Sequence, residues 1–198
     1  EEKAVHPELG SPFRSTPARM IRRCIQEVRE ADYILVPSEY VRDSLLHYGA
    51  APDRIFMLPY GVDLAMFAPA PPPPVPPFKI LFAGHIGIRK GVYYLLEAVR
   101  QAAIPDIQVV LLGNIEGDGE WLRKYKDLSL HEGSTVSIYE AMASGLPVVT
   151  TPNSGSVIRD GIDGFIVPIR DIAALRDRIE RLYRDAELRG TMGRNAAE

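Results

Sequence analysis

Apolar and polar positions along this chain follow two rhythms, one suited to helices and one to buried strands. In residues 17–29, PARMIRRCIQEVR, the spacing puts Ile21, Cys24, Ile25 and Val28 on one face of a helix. Thr16 is the expected N-cap, with Pro17 in the first turn. ADYILVPS reads as a short buried strand over 33–36, ended by Pro37. Ser38 then caps a helix over 39–47 that Gly49 stops, and a Pro52-Asp53 turn leads into a strand over 54–58. From Phe78 the alternation starts again. KILFAG predicts a strand, followed by a glycine-bearing loop, a helix over 92–102, the buried strand IQVVLLG and a short helix over 120–126. A helix is expected over 136–144, with Gly145 as its stop and Pro147 two residues beyond. Strands over 147–151 and 164–167, a long amphipathic helix over 171–184 and a shorter one from Glu187 complete the pattern. Strands separated by helices imply parallel sheets, and hence a Rossmann-like, doubly wound α/β domain that binds its ligand at the carboxyl ends of its strands.

Between the two alternating regions lies Pro59-Tyr60-Gly61-Val62-Asp63, closed by Phe67, and then PAPPPPVPP over 69–77, seven prolines in nine positions. That run reads as a stiff polyproline spacer. The expected division is therefore 1–68, the linker 69–77, and a second domain over 78–198. Bulk composition narrows the function classes. A chain of 198 residues with 46% apolar content can bury a core. A net charge of −3 and a pI near 5.9 give no surface for a polyanion, so no nucleic acid partner is expected. The lone Cys24 cannot form an internal disulfide; it reads as a buried, inert thiol in a reducing cytoplasm. The sequence has neither an 18-residue apolar run nor a signal-type start, so no membrane span is expected.

Two segments carry candidate chemistry. HEGSTVSIYEAMASG, residues 131–145, sets Glu132 and Glu140 eight positions apart across a helix start, with Glu132 expected in the loop before it. A helix start presents unpaired N–H groups and a partial positive charge, which suits phosphate. Glu132 is placed to reach a group attached to that phosphate, and Glu140 to accept hydrogen bonds from hydroxyls further along. Hydroxyls at both ends with phosphate between them describe a sugar nucleotide. In the second segment, Gly84-His85-Ile86-Gly87-Ile88-Arg89-Lys90-Gly91, glycines permit close backbone approach. Its Arg89 and Lys90 bring two cations that can neutralise a pyrophosphate leaving group. Glu116, Asp118 and Glu120 form an acidic turn, and Trp121 reads as a packing residue. The sequence has no Asp-x-Asp triad and no Cys/His cluster, so no metal and no cofactor are expected.

Together these segments resemble retaining glycosyltransferases of family 4, which have the GT-B fold. Glu132 and Glu140 match the family's E-x7-E motif, and EGSTVSIYEAMASGLPVVTTPNSGSVIRDGIDGFIVP follows it through the next two strands. Gly84, Lys90 and Gly91 match the G-R-x4-K-G loop, with His85 in place of the family's arginine and Arg89 as the replacement charge. Gly61-Val62-Asp63 through Phe67 matches the crossover between domains. The resemblance implies a GT-B-type architecture. Residues 1–68 would be the closing part of a Rossmann-like N-terminal, acceptor-side domain, and 78–198 a Rossmann-like, doubly wound C-terminal donor domain. It also implies a gap, because the family has a further strand and helix where only 127–130 remain here. The donor domain would thus lack a strand–helix segment near 126–128. In the usual strand order that loss would open the sheet beside its first strand.

By the same resemblance the protein moves a hexose from a nucleotide-diphosphate sugar to an acceptor with retention at the anomeric carbon. Glu132 and Lys90 would be catalytic. Gly84, His85, Arg89, Lys90, Glu132, Ser134, Thr135, Val136 and Glu140 would bind the donor, the backbone amides of 134–136 holding phosphate or sugar oxygens. A glycan, lipid or small molecule would be the acceptor. Residence would be cytoplasmic, with peripheral contact to the inner membrane face through the basic first helix a further implied partner. The alternatives are a non-catalytic nucleotide-sugar-binding remnant, a partner subunit of a split glycosyltransferase, and a sugar-nucleotide epimerase of related fold.

Overall fold

A computed structural model describes residues 16–71, 77–116, 119–125, 129–133, 138–154 and 157–198. The chain divides into two compact units, one of Phe13–Gly61 with Pro152–Val157, the other including Val62–Thr151 and Ile158–Glu198. In the smaller unit, helix α1 (Ala18–Glu30) precedes strand β1 (Ile34–Val36), helix α2 (Glu39–His47), a 3-10 turn (Pro52–Arg54) and strand β2 (Ile55–Met57). β1 and β2 pair in parallel, Ile34 opposite Ile55. Ser38 caps α2 as the sequence implies, its hydroxyl accepting from the Val41 amide at 3.4 Å. Gly49 leaves the helix at φ 87°, a conformation that costs glycine little. The Arg54 guanidinium reaches the carbonyls of Val28 and Arg29, otherwise orphaned at the end of α1.

Two expectations fail at α1. Thr16 does not cap it. Pro17, in extended conformation, holds the N-cap position and offers no side-chain acceptor. Cys24 is exposed rather than buried, because α1 buries none of its residues. The face holding Ile21, Cys24, Ile25 and Val28 exists as the spacing implies, but Ile21 and Ile25 are exposed.

In the larger unit, β3 (Lys79–Ala83), α3 (Val92–Ala102), β4 (Gln108–Leu112) and β5 (Ser129–Gly133) follow one another. The short helix expected over 120–126 is a 3-10 helix, Glu120–Tyr125. After β5 come α4 (Ile138–Ala143), β6 (Val148–Thr150), β7 (Gly164–Ile166), α5 (Ile172–Arg184) and α6 (Ala186–Ala197). β3, β4 and β5 form one parallel sheet in that order, and β6 with β7 forms another. β5 therefore lies on the far side of β4, and among the described strands β3 is at an edge of the sheet.

The main core forms between α3, α5 and the β3–β4 ladder, with Val92, Leu96, Val99, Val109, Leu111, Tyr125 and Ile179 all buried. Residue spacing explains the helix contribution, since 92, 96 and 99 recur at three and four positions. Ile172 and Leu175 bring α5 onto the same cluster, whereas Leu182 joins Phe165 and Met192 in a second one. Phe78, just before β3, packs against both. Trp121 is a partly buried packing residue, in keeping with its sequence reading.

One buried carboxylate ties α3 to the 3-10 segment. Glu97, 5% exposed, accepts from the Tyr125 hydroxyl at 2.7 Å and pairs with Arg100 at 2.6 Å and Lys124 at 3.0 Å. Lys124 also sits 4.9 Å and 5.0 Å from the ring centres of Tyr93 and Tyr125. Burial alone would push the Glu97 carboxyl up. Its hydrogen bonds from Arg100, Tyr125 and Lys124 outweigh that and hold it at about 2 instead of 4.5. Burial and the Glu97 carboxylate together push the Tyr125 phenol well above its ordinary range.

A folded-state pKa below the unfolded value contributes stability above the unfolded pKa and loses it as pH falls toward the folded one. Glu97 should thus contribute on the order of 3 kcal/mol near neutrality. Urea unfolding at about pH 5 and about pH 2 should show that contribution disappearing in the native chain. In Glu97→Gln it should be missing at both pH values. Equal acid sensitivity in the two proteins would remove Glu97 from the account.

Candidate functional site

Glycine chemistry builds the mouth of the sheet. β3 and β4 end at Ala83 and Leu112, paired in register, and each runs into a glycine with φ 143°. A Cβ on Gly113 would lie 1.8 Å from the Gly84 carbonyl oxygen, so only glycine lets the two chain segments meet there. The ladder then continues past the strands. Gly84 donates to the Leu112 carbonyl at 2.8 Å, Ile86 to that of Asn114 at 2.8 Å, and Glu116 back to that of Ile86 at 2.9 Å. Ile86, fully buried, bridges Ile115. The loop after β3 is thus zipped to the loop after β4.

This zipper presents the cations. The Lys90 amide bonds to the Gly87 carbonyl, closing a 3-10 turn over Ile88–Lys90. Gly91 at φ 80° then takes the N-cap position of α3 and has no side chain to cap it. His85, Arg89 and Lys90 are exposed, and among the described residues no carboxylate pairs with Arg89 or Lys90. Two unneutralised cations before a helix start whose N-cap is glycine form a place where an anion is favoured.

Glu132 departs from its expected setting. It lies inside β5, opposite Leu111, rather than in a loop before a helix. Since β5 flanks β4, the backbone at 132 lies two strand spacings, about 10 Å, from Phe82. Ser134, Thr135 and Val136 fall outside the described residues, as does the start of the helix expected from 136. Glu140 is half-buried on α4. The stop at Gly145 is as read: the Gly145 amide bonds to the Met142 carbonyl and the Leu146 amide to that of Ala141, a Schellman pair with Gly145 at φ 72°.

Further support for this end of the unit was not evident from sequence. A Cβ on Gly193 of α6 would lie 2.2 Å from the Gly145 carbonyl oxygen, so α6 packs directly on the end of α4. In the Asp160-Gly161 turn, the Asp160 carboxylate accepts from the Ile166 amide at 2.9 Å. Fully buried Asp163 accepts from the Arg159 amide at 2.7 Å and from its guanidinium. Among the described residues no group of three or more His, Cys, Asp or Glu could hold a metal ion. No helix among them is long and apolar enough to cross a membrane.

Solved structures with this arrangement define its class. Sucrose-phosphate synthase from Thermosynechococcus elongatus superposes with a TM-score of 0.79 at 20% identity, covering 100% of this chain and 60% of its own. Anabaena HepE in complex with UDP and glucose gives 0.75 at 15% identity, covering 92% and 62%. The chain therefore has the α/β architecture of GT-B glycosyltransferases.

Residues 127–185 match the family model described as glycosyl transferases group 1, and residues 3–66 that of glycosyltransferase family 4. D-inositol 3-phosphate glycosyltransferase of Arthrobacter sp. (strain FB24) is 32% identical over 197 positions, which take in 76% of this chain and 47% of the relative. This chain belongs to the group 1 glycosyltransferases. It spans about half the length of the relatives it matches. Because those 197 positions occupy 76% of a 198-residue chain, the relative carries positions inside the matched stretch that this chain lacks.

The Gly84–Gly113 approach supplies a direct test. Gly113→Ala adds a Cβ with no room for it, at a backbone angle that disfavours it. Urea unfolding should show a loss of about 3 kcal/mol. A variant of native stability would mean that the two loops are not packed as described.

Proposed function

We propose that this chain carries the donor side of a glycosyltransferase that moves a hexose from a nucleotide-diphosphate sugar to an acceptor, with retention at the anomeric carbon. The observation that carries the reading is the loop holding Arg89 and Lys90 at the carboxyl ends of β3 and β4, zipped in place ahead of the start of α3. In this reading Lys90 and Arg89 bind the diphosphate and stabilise it as it leaves. His85 stands where the family's arginine does, beside the phosphates. Glu132 orients the transferred sugar, Glu140 accepts from the ribose hydroxyls, and the amides of 134–136 take up sugar or phosphate oxygens. Attack comes from the face that the nucleotide leaves, and a phosphate oxygen assists removal of the acceptor proton. The chain's part is then positioning and electrostatic stabilisation, with no metal or cofactor.

The acceptor is a glycan, a lipid or a small molecule, met in the cytoplasm. For a lipid acceptor α1 is the surface an acidic membrane would meet, with Arg19, Arg22, Arg23 and Arg29 exposed beside Ile21 and Ile25. A second reading, donor binding without turnover, draws on the separation of β6 and β7 from the β3–β5 sheet, since in a doubly wound domain the ligand crevice lies where the strand order reverses.

Calorimetric titration with UDP, GDP and ADP tests the donor site. One nucleotide should bind saturably, and Lys90→Ala and Glu140→Ala should each weaken it by about 1–3 kcal/mol. A folded protein that binds none of the three overturns the reading. Hydrolysis or transfer of the matching sugar nucleotide then separates turnover from binding alone.

A further inference from the structure

Gly87 is buried, and its backbone is not in the left-handed region, so conformational freedom does not account for it. Space does. A Cβ at that position would lie 2.1 Å from Oε2 of Glu116, 3.1 Å from its Cβ and 3.2 Å from its Cδ. The Glu116 side chain, half-buried, therefore lies flat against the Gly87 peptide from the loop after β4. Its own amide is already committed to the Ile86 carbonyl, one residue away. Backbone and side chain of one residue thus grip both sides of the point where the loop turns toward its cations. The Gly87 carbonyl in turn accepts from the Lys90 amide and fixes the 3-10 turn that bears Arg89 and Lys90.

We infer that Glu116 is a positioning residue for the cationic loop, setting where Arg89 and Lys90 stand at the mouth of the sheet. Its contribution to ligand binding rests on the donor-site reading above, but its hold on the loop does not. Glu116 does not touch the anion in this account; it acts through Gly87. A carboxylate next to two cations could serve simply to lower the local positive charge, in which case removing it would strengthen anion binding. Positioning predicts the opposite sign.

The loop offers its own readout, because trypsin cleaves after Arg89 and Lys90. In native buffer, Glu116→Ala should be cut at these two sites about tenfold faster than the unchanged chain, while its other sites keep their rates. Glu116→Gln, which keeps shape and an acceptor oxygen, should fall between them. Thermal melting of each variant separates a loosened loop from a weakened fold. If Glu116→Ala does not fold, Glu116→Gln and Gly87→Ala decide. Gly87→Ala must displace the Glu116 carboxylate, and it should raise cleavage at the same two sites.

UDP titration of the same proteins gives the second readout. Glu116→Ala should raise Kd about tenfold, equivalent to about 1.4 kcal/mol. Unchanged cleavage at Arg89 and Lys90 in folded Glu116→Ala overturns the inference, and tighter UDP binding overturns it in favour of charge relief. If the unchanged chain binds no nucleotide, the donor-site reading falls, and cleavage alone decides the role of Glu116.

Discussion

Gly84 and Gly113 meet at the ends of β3 and β4 closely enough that a single methyl group would part them. Most of the site's order descends from that contact. Because the two segments approach there, the parallel ladder outlasts the strands and carries Ile86 into the core opposite Ile115. Because the ladder continues, the loop with Arg89 and Lys90 is held like an extension of the sheet. Cations on a held loop are partly preorganised, so less conformational entropy is lost when they close on an anion.

A second interaction governs the other side of the same sheet. Among the described residues, the crossover from β4 to β5 carries a 3-10 segment, Glu120–Tyr125, and no α-helix; that segment buries little apolar surface beyond Tyr125 and parts of Trp121 and Leu122. Glu97 makes up the shortfall by anchoring Tyr125 and Lys124 to α3 through charge-assisted hydrogen bonds. A buried carboxylate is costly unless fully satisfied, and here three donors surround it. Strand β5, which includes Glu132, is the next described element after that anchored segment.

Sequence patterning revealed nearly every element, because each helix that packs on the β3–β5 sheet has apolar residues three and four apart and each buried strand is short and bounded. The helix over 92–102, the cap at Ser38 and the stop at Gly145 have purely local causes, and local causes are written in the sequence. Misreadings occurred where the cause is distant. Cys24 lies on an apolar stripe, but whether a stripe is buried depends on what else packs nearby. Glu132 was read by its distance from the coming helix, and strand pairing with β4 overrode that. Of the site, the cation-bearing loop was legible. Glu116 was not, because it appeared only as part of an acidic turn. Its one signal is that Gly87 has no backbone reason to be glycine, which needs coordinates to recognise.

The contact between Gly193 and the Gly145 carbonyl bears on how the chain may be shortened. α6 looks like a trailing helix, with only Met192, Gly193 and Ala196 buried. Yet it is the surface against which α4 ends, and α4 carries Glu140. Asn195 and the Ile162 carbonyl also join it to the buried-aspartate turn, at 2.9 Å. The last dozen residues therefore act as a backstop rather than a tail. Trimming them would leave the end of the helix that carries Glu140 held by its Gly145 turn alone.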